Sequence, residues 1–266
     1  LNSRCHHVRA PACPRAVPAV RGRRQHGVFN QVLVDTSYEH YAERALPQLP
    51  AFVAMPFNCL VNVGYAVVGA YWLRAPGPKH ERALRYAKDV FALMALLYGP
   101  VQWTRLATLR RAPAVLDQWF TLPIFAWVPV WCGAVAHGWS ARRALAAEAL
   151  SLLSYALALV HERGFELALA VHIVAAVHAA ASLQRARGDA VSLRYFALAA
   201  LACAGFVALK LLDHALAQWW PFQRLTGHFW SKVCDILQFH YSFCFLTHIS
   251  KCAQTDIVNK NKIRTD

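Results

Sequence analysis

Acidic residues are scarce in this chain, and the short signatures of soluble metal and phosphate chemistry are missing. None of the eight cysteines forms a Cys-x-x-Cys pair, which removes zinc ribbons and dithiol redox sites. There is no His-x-x-x-His, His-Glu-x-x-His, Gly-x-Ser-x-Gly or P-loop. A one-helix zinc site, a serine nucleophile elbow and a phosphate cradle are therefore not encoded in those forms. No Asn-x-Ser/Thr sequon occurs, so no glycan marks a lumenal face. Charged residues make up only 16% of the chain, against about 25% in a soluble domain.

What is present is hydrophobic length. Apolar residues reach 57% of the 266 and gather into seven runs: Ala51–Leu73, Ala87–Thr104, Val115–His137, Ala144–Val160, Phe165–Leu183, Leu193–Leu212 and His228–Thr247. Most approach the ~20 residues that cross a hydrocarbon core, the fourth being short or tilted. These runs predict an all-α polytopic membrane protein, a bundle of seven transmembrane helices over residues 51–248. A soluble helical bundle is disfavoured, because adjacent runs are apolar all round and joined by short basic loops.

The net charge of +14 lies mainly in the N-terminal arm, the loops and the tail. That distribution fits a membrane protein obeying the positive-inside rule and argues against nucleic acid as a partner. Residues 1–30 form a basic Pro/Arg-rich arm without a signal-peptide core, read as a disordered segment or a gene-model artefact. Residues 31–50 form an extramembrane lead-in, and residues 249–266 a polar C-terminal tail. The loops after the first, third and fifth runs, with the tail, hold the larger excess of Lys and Arg. The C-terminus is then expected in the cytosol, with Arg105, Arg110 and Arg111 counting against that orientation.

Ionisable groups within a membrane are costly and mark cavities or partners. His228, Lys232 and Asp235 share one face of the last run at helical spacing, and Lys232 and Asp235 are placed to neutralise each other. Asp117 begins the third run, where a carboxylate near a helix N-terminus reads first as a favourable dipole charge. Asn58 and Asn62 lie i,i+4 in the first run and are expected to bond to a neighbouring helix. Lys210 and Asp213 form another i,i+3 pair. His240 falls on a different face from His228. His172 and His178 read as satisfied or interfacial histidines, and Glu148 has no obvious partner. Pro100, Pro123 and Pro129 are expected to kink their helices.

Several of these segments are similar to the transmembrane protein 187 family: Tyr38-Glu-His-Tyr-Ala-Glu, Leu-Pro-Ala-Phe-Val-Ala-Met-Pro-Phe-Asn58, Tyr-Gly-Pro-Val-Gln-Trp103, Val-Leu-Asp-Gln-Trp-Phe-Thr-Leu-Pro-Ile-Phe-Ala-Trp127 and Leu-Thr-Gly-His-Phe-Trp-Ser-Lys-Val-Cys-Asp235. The resemblance covers roughly residues 35–248, leaves out residues 1–30 and the tail, and implies a multi-pass membrane protein. More distantly, the chain resembles the seven-pass alkaline ceramidase and adiponectin-receptor-type hydrolases. Asn58-Cys-Leu-Val-Asn62 stands against their Asn-x-x-Ser-Asn, Leu116-Asp117 with a following Leu-Pro against Leu-Asp-Glu-Leu-Pro, and His228-Phe-Trp-Ser-Lys232 against His-x-x-x-His. Lys232 replaces the second histidine and the second run has no histidine, so two of three zinc ligands expected from that resemblance are absent.

The expectation is thus a non-enzymatic relative of lipid-amide hydrolases with a degenerate zinc site. Its polar core of Asn58, Asn62, Asp117, His228, Lys232 and Asp235 binds a lipid-like ligand, with membrane lipids around it and no metal or cofactor. Two other readings stand beside it: a remodelled hydrolase using Asp117 and His228 as acid and base, and a structural or trafficking protein whose polar residues only join helices.

Overall fold

The computed structural model describes residues 27–37, 41–77 and 82–265, with side chains to residue 253. Residues 1–26 of the basic arm, the Tyr38–His40 part of the family-like motif, Lys79, Glu81 and the side chains of the charged tail lie outside the described residues.

The described chain is all-helical. Its α-helices are α1 (Pro56–Val61), α2 (Val63–Arg74), α3 (Arg82–Thr108), α4 (Arg111–His137), α5 (Ala141–Ser154), α6 (Leu157–Val160), α7 (Gly164–Arg187), α8 (Ala190–Leu211), α9 (Asp213–Leu216) and α10 (Gly227–Thr265). Among the described residues, four segments are long and apolar enough to cross a membrane: Arg111–His137, Ala141–Val160, Gly164–Arg187 and Ala190–Leu211. In the second of these, α5 and α6 together make one 20-residue segment, so the expected short fourth span is a full-length run broken beside Tyr155. The helix that begins at Gly227 continues to Thr265, through the stretch read as a tail.

Apolar side chains stand outward in a way no water-facing surface sustains. Leu145 is 72% exposed, Leu153 70%, Val174 66% and Leu201 70%, and they recur along α5, α7 and α8. Exposed apolar side chains recurring along helices long enough to span a membrane fit a lipid-facing surface. Asn58, Lys88, Asp117, His228, Lys232 and Asp235, by contrast, are buried.

α4 is the central helix, packed on α3, α5 and α7, and α10 lies between α8 on one side and α1 to α4 on the other. Aromatic rings fill the middle: Trp131, Phe91, Phe243 and Phe239 are all at most 2% exposed. α2 and α3 touch backbone to backbone. A Cβ on Gly69 would sit 2.5 Å from the Leu96 nitrogen, so only glycine permits that approach, the small-residue logic of membrane helix pairs.

Cations from neighbouring helices close the helix ends. Arg187, at the end of α7, donates to Val135 O and Ala136 O at 2.8 Å each, satisfying carbonyls that the last turn of α4 leaves open. Lys88 in α3 donates to Trp72 O and Ala75 O at the end of α2 and pairs with Asp89 at 2.7 Å. Asp189 and Ser192 form a capping box that starts α8. Arg187 and Lys88 are structural parts of the bundle.

Candidate functional site

The lead-in sets the first wall of the polar core. α1 starts with Pro56 and has no side-chain cap of its own. Glu43, from the lead-in, accepts hydrogen bonds from Phe57 N at 3.1 Å and Asn58 N at 2.9 Å. It does for α1 what an N-cap residue does, from a distant point in sequence. Burial pushes the Glu43 carboxyl above its ordinary value, and the two backbone N–H donors pull it back. Past this cap, Asn62 Nδ2 donates to Asn58 O at 2.8 Å, across the junction of α1 and α2. The expected bond to a neighbouring helix is replaced by one within a helical turn. Asn58 Oδ1 and Asn62 Oδ1 are buried without a hydrogen-bond partner.

Asp117 does not cap a helix. α4 begins at Arg111, because the helix extends beyond the apolar run that sets its apparent start, and Asp117 lies more than one turn inside. It is 5% exposed and paired with Arg105 of α3, Nη1 to Oδ2, at 2.6 Å. Arg105 also donates to Asp35 O of the lead-in at 3.3 Å. Asp117 Oδ1 and Arg105 Nε have no hydrogen-bond partner.

The α10 face holds the remaining groups. His228 N donates to Asp213 Oδ1 at 2.7 Å, and His228 Nδ1 lies 3.4 Å from Lys210 Nζ. The expected Lys210–Asp213 pair is thus replaced by separate contacts of each residue with His228. Asp235 accepts from Tyr65 OH at 2.6 Å. Lys232 forms no ion pair within 4.0 Å among the described residues. Its ammonium faces the rings of Tyr98 at 5.5 Å and Tyr65 at 5.9 Å. Lys232 and Asp235 share the buried face without a direct pair within 4.0 Å: Tyr65 donates to the carboxylate, and the Tyr65 and Tyr98 rings meet the ammonium.

A chain of contacts joins these groups across four elements. Thr121 Oγ1 donates to Asp117 O at 2.8 Å and lies 3.0 Å from Tyr98 OH, whose ring faces Lys232. On the other flank, Arg105 stands 5.7 Å from the Tyr41 ring centre, and Tyr41 meets His228 edge-on at 4.8 Å. Asn58, Asn62, Asp117, His228, Lys232 and Asp235 are all buried. Asp117, Lys232 and His228 are linked through tyrosines and Arg105, and Asp117 is paired with Arg105. Arg105, Tyr41, Tyr65 and Tyr98 carry the linkage, and sequence reasoning did not single them out.

Other candidates fall elsewhere. His240 accepts from Trp72 Nε1 at 3.4 Å, a different contact as expected. His172 lies 2.7 Å from Ala168 O and 3.0 Å from Ser151 Oγ, a satisfied histidine. Glu148 Oε1 has no hydrogen-bond partner. Beside the polar core, a partly open groove is lined by α4, α7, α8 and α10, including Phe125, Val128, Ile173, Phe196 and Phe245. Gln238 lines it too, one helical turn beyond Asp235, and its Oε1 is buried without a partner.

Comparison with known proteins places the chain. The model of the TMEM187 protein family matches residues 9–247. The match enters the basic arm, so the expectation that residues 1–30 stand wholly outside the family is corrected. Transmembrane protein 187 of Bos taurus is 57% identical over 231 residues, covering 85% of this chain and 90% of that one. Transmembrane protein 187 of Homo sapiens is 57% identical over 224 residues, covering 84% and 85%. No solved structure matches. Its apolar helices and these relatives make it a multi-pass integral membrane protein, and the chain belongs to the TMEM187 protein family.

Proposed function

We propose that this protein is a seven-span bundle that binds a lipid in its polar core and does not turn it over. The three spans beyond the four apolar ones are α1 with α2, α3, and the first half of α10. α3 has 27 residues, about 40 Å at 1.5 Å per residue, ample for a hydrocarbon core. Its hydropathy is lowered by Lys88 and Arg105, and both are buried against other helices. The same holds for α10, whose His228, Lys232 and Asp235 face inward. The helices that look least like spans are those that build the core. The C-terminus is cytosolic in this reading, by the distribution of Lys and Arg.

Lys232 carries the binding argument. Two ring faces supply about 0.5–2 kcal/mol each, less than the several kcal/mol needed to desolvate an ammonium. The same buried polar core holds acceptor atoms without hydrogen-bond partners: Asp117 Oδ1, Asn58 Oδ1 and Asn62 Oδ1. A lipid head group bearing hydroxyls accepts from the ammonium through oxygen and donates its O–H groups to these acceptors, and the neighbouring apolar groove suits an acyl chain. The hydrolase alternative needs Asp117 and His228 to act as acid and base, yet Asp117 is paired with Arg105. The resemblance to lipid-amide hydrolases rests on the short motifs alone.

The test is mass spectrometry of lipids retained by protein purified in mild detergent, for the natural chain, Lys232→Met and Asp117→Asn. The expected result is one lipid class enriched over the source membrane and reduced at least tenfold by Lys232→Met. Retained lipid that only mirrors the source membrane would overturn binding. Lipid-amide hydrolysis abolished by His228→Ala would favour the enzyme.

A further inference from the structure

A second cluster lies away from the polar core, where α8 begins and α10 passes it. His248 and Cys252 are i,i+4 on α10, so one face of one turn presents an imidazole and a thiol together. Asp189 comes from the N-terminus of α8. Its two carboxylate oxygens are divided: Oδ1 accepts from Ser192 N at 2.7 Å as the helix cap, and Oδ2 lies 2.9 Å from His248 Nε2. Cys252 Sγ is 3.6 Å from the same Nε2. The three ligand atoms lie within 4.8 Å of one another.

We propose that Asp189, His248 and Cys252 form a zinc-class metal site joining the start of α8 to α10. Zinc holds nitrogen and oxygen at about 2.0 Å and sulfur at about 2.3 Å. The ligand atoms of a tetrahedral site are then about 3.3–3.7 Å apart. The Sγ–Nε2 separation already fits, and the Oδ2–Nε2 separation fits once the carboxylate moves back by a few tenths of an ångström. An imidazole and a thiolate select zinc over magnesium or calcium, which prefer all-oxygen sets. Cys252 binds as thiolate, its proton leaving to solvent as the metal arrives. Three protein ligands leave the fourth position to water.

The Asp189–His248 contact by itself is also an ordinary ion pair, so the test must see sulfur. The full chain, purified in detergent and stripped with chelator, is titrated with Co²⁺ and then with Zn²⁺. The expected result is one Co²⁺ per chain with a thiolate-to-cobalt charge-transfer band and tetrahedral visible bands, displaced by one Zn²⁺. Cys252→Ser removes the charge-transfer band, and His248→Ala weakens binding at least tenfold. Asp189→Ser keeps a good helix cap while removing a ligand, and weakens binding without reducing helix content by circular dichroism. A natural chain that binds no stoichiometric Co²⁺, or a charge-transfer band that survives Cys252→Ser, overturns the site and leaves an ion pair. Thermal unfolding of the metal-free variants verifies that each is folded.

Discussion

Arg105 and Asp117 meet at 2.6 Å in the interior, each from a long helix and each close to a residue of the lead-in or the tyrosine set. A buried pair of this kind adds little net stability when complete, but removing one partner strands the other charge. Asp117→Ala is therefore expected to destabilise the protein by about 3–5 kcal/mol. The double variant Asp117→Leu with Arg105→Met should recover most of that loss, since well-packed apolar replacements of buried pairs are often neutral. Denaturant unfolding in detergent micelles measures both. A double variant as unstable as the single one would show that Arg105 matters chiefly through its bond to Asp35 O.

Tyr65 OH donates to Asp235 on the buried α10 face at 2.6 Å, and Tyr65 is completely buried. Tyr65→Phe keeps the ring under Lys232 and removes only the donor. The expected cost is about 1–3 kcal/mol, the penalty for leaving a buried carboxylate without its hydrogen bond. Tyr65→Phe with Asp235→Leu should cost less than Tyr65→Phe alone, because no buried acceptor is then stranded. Thermal melts of the three variants decide it.

Much of this architecture is legible in the amino-acid order, and the gaps share one cause. Apolar run length locates α7, α8 and the end of α4 to within a few residues, because their outward faces must be apolar in lipid. It misplaces the ends of α3 and the start of α4, since helices continue past the apolar run when a polar side chain finds a buried partner. Ending the second run at Thr104 puts Arg105 in a loop and leaves Asp117 with a dipole for company. Extending α3 to Thr108 brings the two together. The i,i+3 spacing of Lys232 and Asp235 correctly put both on one buried face. It could not reveal that Tyr65 and Tyr98, which read as apolar filler, intervene. The Asp189, His248 and Cys252 cluster was invisible for another reason: its ligands are 59 residues apart in part, and His-x-x-x-Cys belongs to no named motif.

Glu43 ties the lead-in to the membrane domain and makes that tie dependent on pH. Desolvation raises its carboxyl above the ordinary value more than the N–H groups of Asn58 and Phe57 lower it. The folded state therefore binds its proton more tightly than the unfolded chain does. By linkage, this group's contribution is fully present below the unfolded value and is lost as pH rises through the folded one. Glu43→Gln keeps one acceptor oxygen and removes the titration. The melting temperature of the natural chain relative to Glu43→Gln should rise as pH is lowered from neutral into the ordinary carboxylate range, the direction set by a raised folded-state value. Glu43→Ala removes the cap as well and should cost about 1–2 kcal/mol at neutral pH. A difference between the natural chain and Glu43→Gln that is flat or of opposite slope would mean that the N–H donors outweigh burial and that Glu43 binds α1 as a carboxylate throughout.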